Sequence, residues 1–122
     1  MAIGKEIGDF SFKSTSTSYA EDGSGVQIDL DGTATGYGTV LGTLSLRSEP
    51  GAKAGSCSWR GQGFLENGEI VVGAGEGNWE EIGKHQWRTR MVVTTSDGGT
   101  HASDGQLDLA SRTLKGKMLE WS

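Results

Sequence analysis

GAGEGNW, residues 73–79, sets glycine at every second position and then closes on tryptophan, in a run preceded by Ile70, Val71 and Val72 and not by linker residues. Glycine weakens a strand interior, so its repetition there marks strong curvature, a bulge, or room left for a bulky neighbour. GYG (36–38) and GQG (61–63) repeat the pattern, and the chain carries 21 glycines against one proline in 122 residues. Curvature and room are what a small closed barrel requires.

Outward from this stretch, turn signals recur at EDGSG (21–25), SEPGAKAG (48–55), ENGE (66–69), EEIGK (80–84), SDGG (96–99) and ASRT (110–113). Between them lie runs of strand length at 8–19, 25–36, 37–48, 55–65, 69–79, 84–95, 100–110 and 113–121. No stretch carries a capped 3.6-residue apolar period, so no helix longer than a turn or two is expected. Short connections make neighbouring strands antiparallel, and about eight strands is the number at which a meander closes with its interior filled by side chains. The expected fold is all-β, a single closed antiparallel up-and-down β-barrel, with residues 1–122 as one domain.

Charge and composition exclude several function classes. Sixteen acidic residues against 11 basic ones give a net charge of −5 with no Lys/Arg cluster, which argues against nucleic acid or an anionic membrane as partner. No stretch approaches the roughly 20 apolar residues of a membrane span, and the start, MAIGKEIGDF, lacks the apolar core of a signal peptide, so a cytoplasmic location is expected. Cys57 is the lone cysteine. It forms neither an intrachain disulfide nor a cysteine metal cage, and reads as a small buried residue.

Alternation assigns faces, because residues two apart share one side of a strand. Val26, Ile28 and Leu30 oppose Gln27, Asp29 and Asp31, while Leu107 and Leu109 oppose Gln106 and Asp108. Among polar residues, His85, His101, Glu120 and the row Ser14, Ser16 and Ser18 share the inward parity. Pairing Trp87 with Leu109 and Leu109 with Leu114 puts His101 opposite Thr95 and Glu120 opposite Ser103, so that His101, Ser103 and Glu120 gather at one end. His85 lies about ten residues from Thr95, roughly 30 Å along its strand, and so belongs to the other end.

That separation opposes a two-histidine metal site, and no H-x-H or H-x-x-x-H spacing occurs. No cofactor fingerprint is present either: no helix follows the Gly-rich elements to receive a phosphate, and no G-x-S-x-G elbow exists. The candidate acid and base are His101 and Glu120, since an imidazole beside a carboxylate in an apolar mouth has its pKa moved toward neutrality. A solvated rim is the competing account of the same pair. Glu76 is the further catalytic candidate. If Ile70, Val72 and Ala74 line the lumen, Glu76 is a buried acid; if Gly73, Gly75, Gly77 and Trp79 face in, pairing Gly77 with Trp87 and Gly73 with Met91, it is ordinary surface.

Trp59, Trp79, Trp87 and Met91 are the candidate lining of a ligand site, because aromatic side chains line most small-molecule pockets; they also fill cores. Small residues at inward sites, including Gly38, Gly42, Gly61 and Gly63, leave room for a small apolar or aromatic ligand, or else compensate for tryptophan volume. Tyr37, Leu41, Phe64, Leu119 and Trp121 read as outward-facing, and a contiguous apolar patch among them suits a homo-oligomer.

GTATGYGTVLGTLSL (32–46), SCSWRGQGFL (56–65), GAGEGNWEEIGKHQWRTR (73–90) and SDGQLDLASRTLKGKMLEW (103–121) together resemble small bacterial eight-stranded barrels of unknown function, which are similar in architecture to allene oxide cyclase and the wider calycin group. GNW (77–79) is similar to the G-x-W of lipocalins but falls mid-chain, unlike theirs on the first strand. The resemblance implies a barrel that binds hydrophobic, oxygenated molecules and steers an isomerisation or cyclisation mainly by shape. Two expectations follow: a small-molecule-binding barrel of isomerase or cyclase type, or a non-catalytic carrier or oligomeric module with a packed barrel.

Overall fold

Apolar and polar residues alternate along Val26–Asp31 and Thr43–Arg47, and a period of two can bury its apolar side only as a strand. The computed structural model describes residues 3–121 and forms eight strands: β1 (Ile3–Tyr19), β2 (Gly25–Ala34), β3 (Gly38–Arg47), β4 (Ala54–Phe64), β5 (Ile70–Gly83), β6 (Gln86–Thr95), β7 (Thr100–Asp108) and β8 (Thr113–Trp121). Each pairs antiparallel with the next, and β8 returns to β1 to close the barrel. The expected up-and-down barrel is therefore the fold. Ile28, Leu30, Leu44, Leu107 and Leu114 are fully shut off from solvent in its interior. Among the described residues no helix is long and apolar enough to cross a membrane.

The barrel has two ends. The upper end carries the turns after β2, β4 and β6, the start of β1 and the finish of β8. The lower end carries the turns after β1, β3, β5 and β7.

Glycine positions answer the question posed by residues 73–79. Gly75 and Trp79 are buried while Glu76 is exposed, so the glycine face is the lumen face and the buried-acid reading of Glu76 is overturned. A Cβ on Gly75 would lie 2.9 Å from Cγ2 of Val93, and one on Gly77 would run into the backbone carbonyl of Arg90. The neighbours differ from those expected: Gly77 pairs with Met91 and Gly73 with Thr95. EEI (80–82) continues the strand instead of turning, and the chain reverses only at Lys84 and His85, where His85 takes a left-handed φ of 61°. This longer hairpin moves the register by four residues. It also leaves Trp87 opposite Glu81, away from the glycines.

Trp59 uses other glycines. Its ring lies across Gly42 and Gly61, where a Cβ on Gly61 would come within 2.7 Å of Cζ2. Phe12 packs against Trp59 at a ring-centroid distance of 5.4 Å and against Phe10 at 5.7 Å. This aromatic cluster fills the middle of the barrel. A bulge between Ser14 and Ser16 flips the parity of the serine row, so Ser16 and Ser18 face solvent, and Ser16 Oγ donates to Asp29 Oδ2 at 2.5 Å.

Candidate functional site

Above the aromatic cluster, small side chains leave a cavity of about 80 Å³ that opens at the upper end. Phe10, Phe12, Val40, Val71 and Trp59 form its apolar wall and floor, while Met91, Val93 and Met118 line the side next to β7. Gly73 contributes open space, since a Cβ there would meet nothing closer than 3.8 Å.

Tyr37 covers the mouth. Gly36 and Gly38 on either side take φ values of 85° and 67°, which only glycine adopts easily, and they fold the turn so that Tyr37 lies inward. The outward assignment of Tyr37 is thereby corrected: it is half-buried, lines the cavity, and its ring centroid lies 6.4 Å from that of His101. Gly63 accommodates it, since a Cβ there would be 3.0 Å from Tyr37 Cβ.

His101 and Ser103 occupy successive inward positions of β7, and both line the cavity. They are 9% and 7% exposed. Ser103 Oγ has no hydrogen-bond partner among the described residues. Burial pushes the His101 imidazole below its ordinary pKa, and the Asp97 carboxylate offsets this only in part, so the ring is neutral at pH 7. Asp97 is itself held below the usual carboxylate range by the Thr95 hydroxyl and the backbone N–H of Gly99, which donates at 3.2 Å.

Glu120 is the direct cross-strand partner of His101. Its side chain is nevertheless exposed: it lies over Gly4, where an added Cβ would be 2.9 Å from Glu120 Cβ, and its Oε1 accepts the backbone N–H of Lys5 at 3.3 Å. Two register irregularities in β1, between Ile3 and Glu6 and between Glu6 and Gly8, bring the glycine alongside. The carboxylate whose charge acts on His101 is thus that of Asp97, a residue absent from the candidates drawn from the sequence.

Of the expected lining residues, Trp59 and Met91 reach the cavity and Trp79 and Trp87 do not. Trp79 is buried lower in the barrel, where its Nε1 donates to the carbonyl of Arg47 at 3.2 Å. Trp87 is half-buried against the lower core. His85, whose parity reads as inward, instead sits exposed in the lower turn, where the left-handed φ takes it out of the strand, and it lies far from His101, as the strand lengths require. Among the described residues no three His, Cys, Asp or Glu side chains converge as a metal site requires. Burial pushes the Cys57 thiol up to about 11, so it stays protonated and is no nucleophile at neutral pH.

Tyr37 and Ser103 are the cavity-lining positions that sequence reasoning undervalued. The signal for Tyr37 is its pair of flanking glycines. For Ser103 it is a hydroxyl at inward parity, two residues after His101 in β7. A second, wider groove lies on the outer wall between Asp29, Leu41 and Arg60. There the Asp29 carboxylate is already taken up by the hydroxyls of Ser16 and Thr43, at 2.5 and 2.7 Å.

Compared with protein-family models, curated proteins and solved structures, the chain finds no significant match. The architecture stands on its own geometry: a closed, eight-stranded antiparallel meander.

Proposed function

We propose that this barrel binds a small, mostly apolar molecule that enters at the upper mouth beside Tyr37. The observation that carries this reading is the Ser103 hydroxyl, buried without a partner against an apolar cavity. An unmade hydrogen bond of this kind costs about 1–3 kcal/mol, and a ligand atom that supplies it recovers that energy on binding. The flexible Met91 and Met118 side chains suit a wall that adapts to what it holds.

A second reading, in line with the resemblance to allene oxide cyclase-like barrels, is isomerisation of the bound molecule. The neutral His101 imidazole favours it, since a neutral ring can accept a proton from one ligand atom and return it to another. His101→Ala abolishes turnover of the true substrate if that reading holds, while leaving binding measurable.

Native mass spectrometry of the protein purified from its own host tests the binding reading. A retained small molecule is expected on the wild type and is absent from Gly73→Leu, whose side chain grows into the open space at residue 73. A retained molecule that Gly73→Leu keeps, or none on the wild type, overturns it.

A further inference from the structure

The cavity wall bears no lysine, arginine, aspartate or glutamate. Its side-chain polar groups come from Tyr37, Trp59, Gln62, Thr95, His101 and Ser103. Gln62 belongs to the outward row of β4 and is exposed. Thr95 is occupied within its own turn, its hydroxyl bonded to Asp97 and to the carbonyl of Gly99 at 3.3 Å. What remains for a ligand is Ser103 at depth, the Trp59 indole, an uncharged donor only, at the floor, His101 about 7 Å nearer the mouth on the same face of β7, and Tyr37 at the rim.

This inventory discriminates by charge. A carboxylate or an ammonium entering here would shed its hydration without meeting an opposite charge, and the uncompensated burial of an ion is strongly unfavourable. The Asp97 carboxylate lies outside the lining and is exposed, and Glu120 is turned over Gly4. An uncharged oxygen sheds far less and gains the hydrogen bond that Ser103 lacks. The serine hydroxyl donates to a carbonyl or exchanges hydrogen bonds with an alcohol, and a neutral imidazole offers one donor and one acceptor above it.

We propose that the cavity selects an uncharged oxygen function, a ketone, aldehyde or alcohol, on a short apolar stem, with the oxygen hydrogen-bonded to Ser103 Oγ and the stem against Met91, Val93 and Met118. The proposal rests on the binding reading above and specifies its ligand class. Size sets the stem: an apolar cavity of roughly 150 Å³ holds one benzene, so a cavity of about 80 Å³ takes a stem of about three to five carbons. Any larger remainder of the molecule projects past Tyr37.

The test is a titration of protein carrying ¹³C-methyl methionine, followed through the methyl signals of Met91 and Met118. The probes are xenon, 2-pentanone, 2-pentanol, pentanoate and pentylammonium. The ketone and the alcohol are expected to bind in the millimolar range, about tenfold more tightly than either ion. Ser103→Ala is expected to weaken the ketone by about the same factor and to leave xenon binding unchanged. Pentanoate or pentylammonium binding as tightly as the ketone overturns the proposal, as does a ketone affinity indifferent to Ser103→Ala; in both cases xenon still shifts the methionine signals and the binding reading survives. Signals that no probe moves, xenon included, remove the binding reading itself.

Discussion

Ser103 and Thr89 each hold a hydroxyl shut away from water with no partner among the described residues, yet they differ in what lies beside them. Ser103 opens on the cavity, whereas Thr89 is fully buried deeper in the barrel, where the position of a Cβ on Gly105 is 2.9 Å from its Oγ1. Replacing an unsatisfied hydroxyl by an apolar group of similar shape removes its desolvation penalty. Thr89→Val is therefore expected to raise unfolding stability by about 1 kcal/mol with no effect on binding. Ser103→Ala is expected to raise stability while weakening the ligand, the trade-off that marks a site kept for function. Urea unfolding of both variants checks this, and a destabilised Ser103→Ala means that the hydroxyl has a structural partner after all. His101 adds a pH dependence. Its folded pKa lies below the unfolded value of about 6.5, so the unfolded chain takes the proton first. Stability is then full above about 6.5 and declines as pH falls from there through the lowered folded pKa. The urea midpoint should drop between pH 7 and pH 5, and His101→Asn should flatten that drop; an unchanged slope in the variant would assign it to other groups.

At the scale of the element, the β5–β6 hairpin shows what glycine does in this barrel. A Cβ at residue 77 would strike the Arg90 backbone, which can move only if β6 moves, whereas a Cβ at residue 73 meets its nearest atoms at 3.8 Å. Gly77→Ala should thus destabilise by about 1–3 kcal/mol or more, the range of overpacked cores. Gly73→Ala should be neutral within about 0.5 kcal/mol and should narrow the cavity. Thermal unfolding of the two variants separates them, and equal losses would mean that glycine at 73 serves the strand and not the open space. The alternation inside GAGEGNW made the lumen face legible as one of two choices, and Trp79 on the glycine face was the better guide than Ile70 and Val72. Both of those apolar residues sit outside, 54% and 48% exposed. Their neighbours Leu41 and Phe64 are likewise outward, at 46% and 37%, as their parity suggests.

The whole molecule is one interior closed at a seam. At the β1–β8 join the Phe10 ring lies over Gly116, whose added Cβ would be 2.6 Å from its Cζ, and over Gly105, at 3.1 Å. Because β1 and β8 complete the same core that Ile28 and Leu44 occupy, no strand can leave without opening all of it. Tryptophan fluorescence and far-ultraviolet circular dichroism should therefore report one coincident unfolding transition in urea. Separate midpoints would show that part of the barrel loosens before the rest. A ligand in the cavity should shift that single transition upward according to its concentration over Kd.

The amino-acid sequence alone determined that this chain is a meander of eight strands, that Ile28, Leu30, Leu44, Leu107 and Leu114 face inward, and that His85 and His101 lie at opposite ends. Those features depend on a period of two and on turn chemistry, both of which are local. Tertiary structure decided the partners. A shift of two or four residues leaves every face unchanged, so alternation is blind to it; only the turn at Lys84 and His85 and closure on β1 select among such registers. Trp87 accordingly pairs with Leu107 and not Leu109, and His101 faces Val93 and not Thr95. The bulge at Ser14–Ser16, which breaks the period, and the glycines that fold Tyr37 over the mouth likewise depend on contacts between strands. The cavity belongs to that second class: it is the space left when Trp59 lies across Gly42 and Gly61, and no single strand contains it.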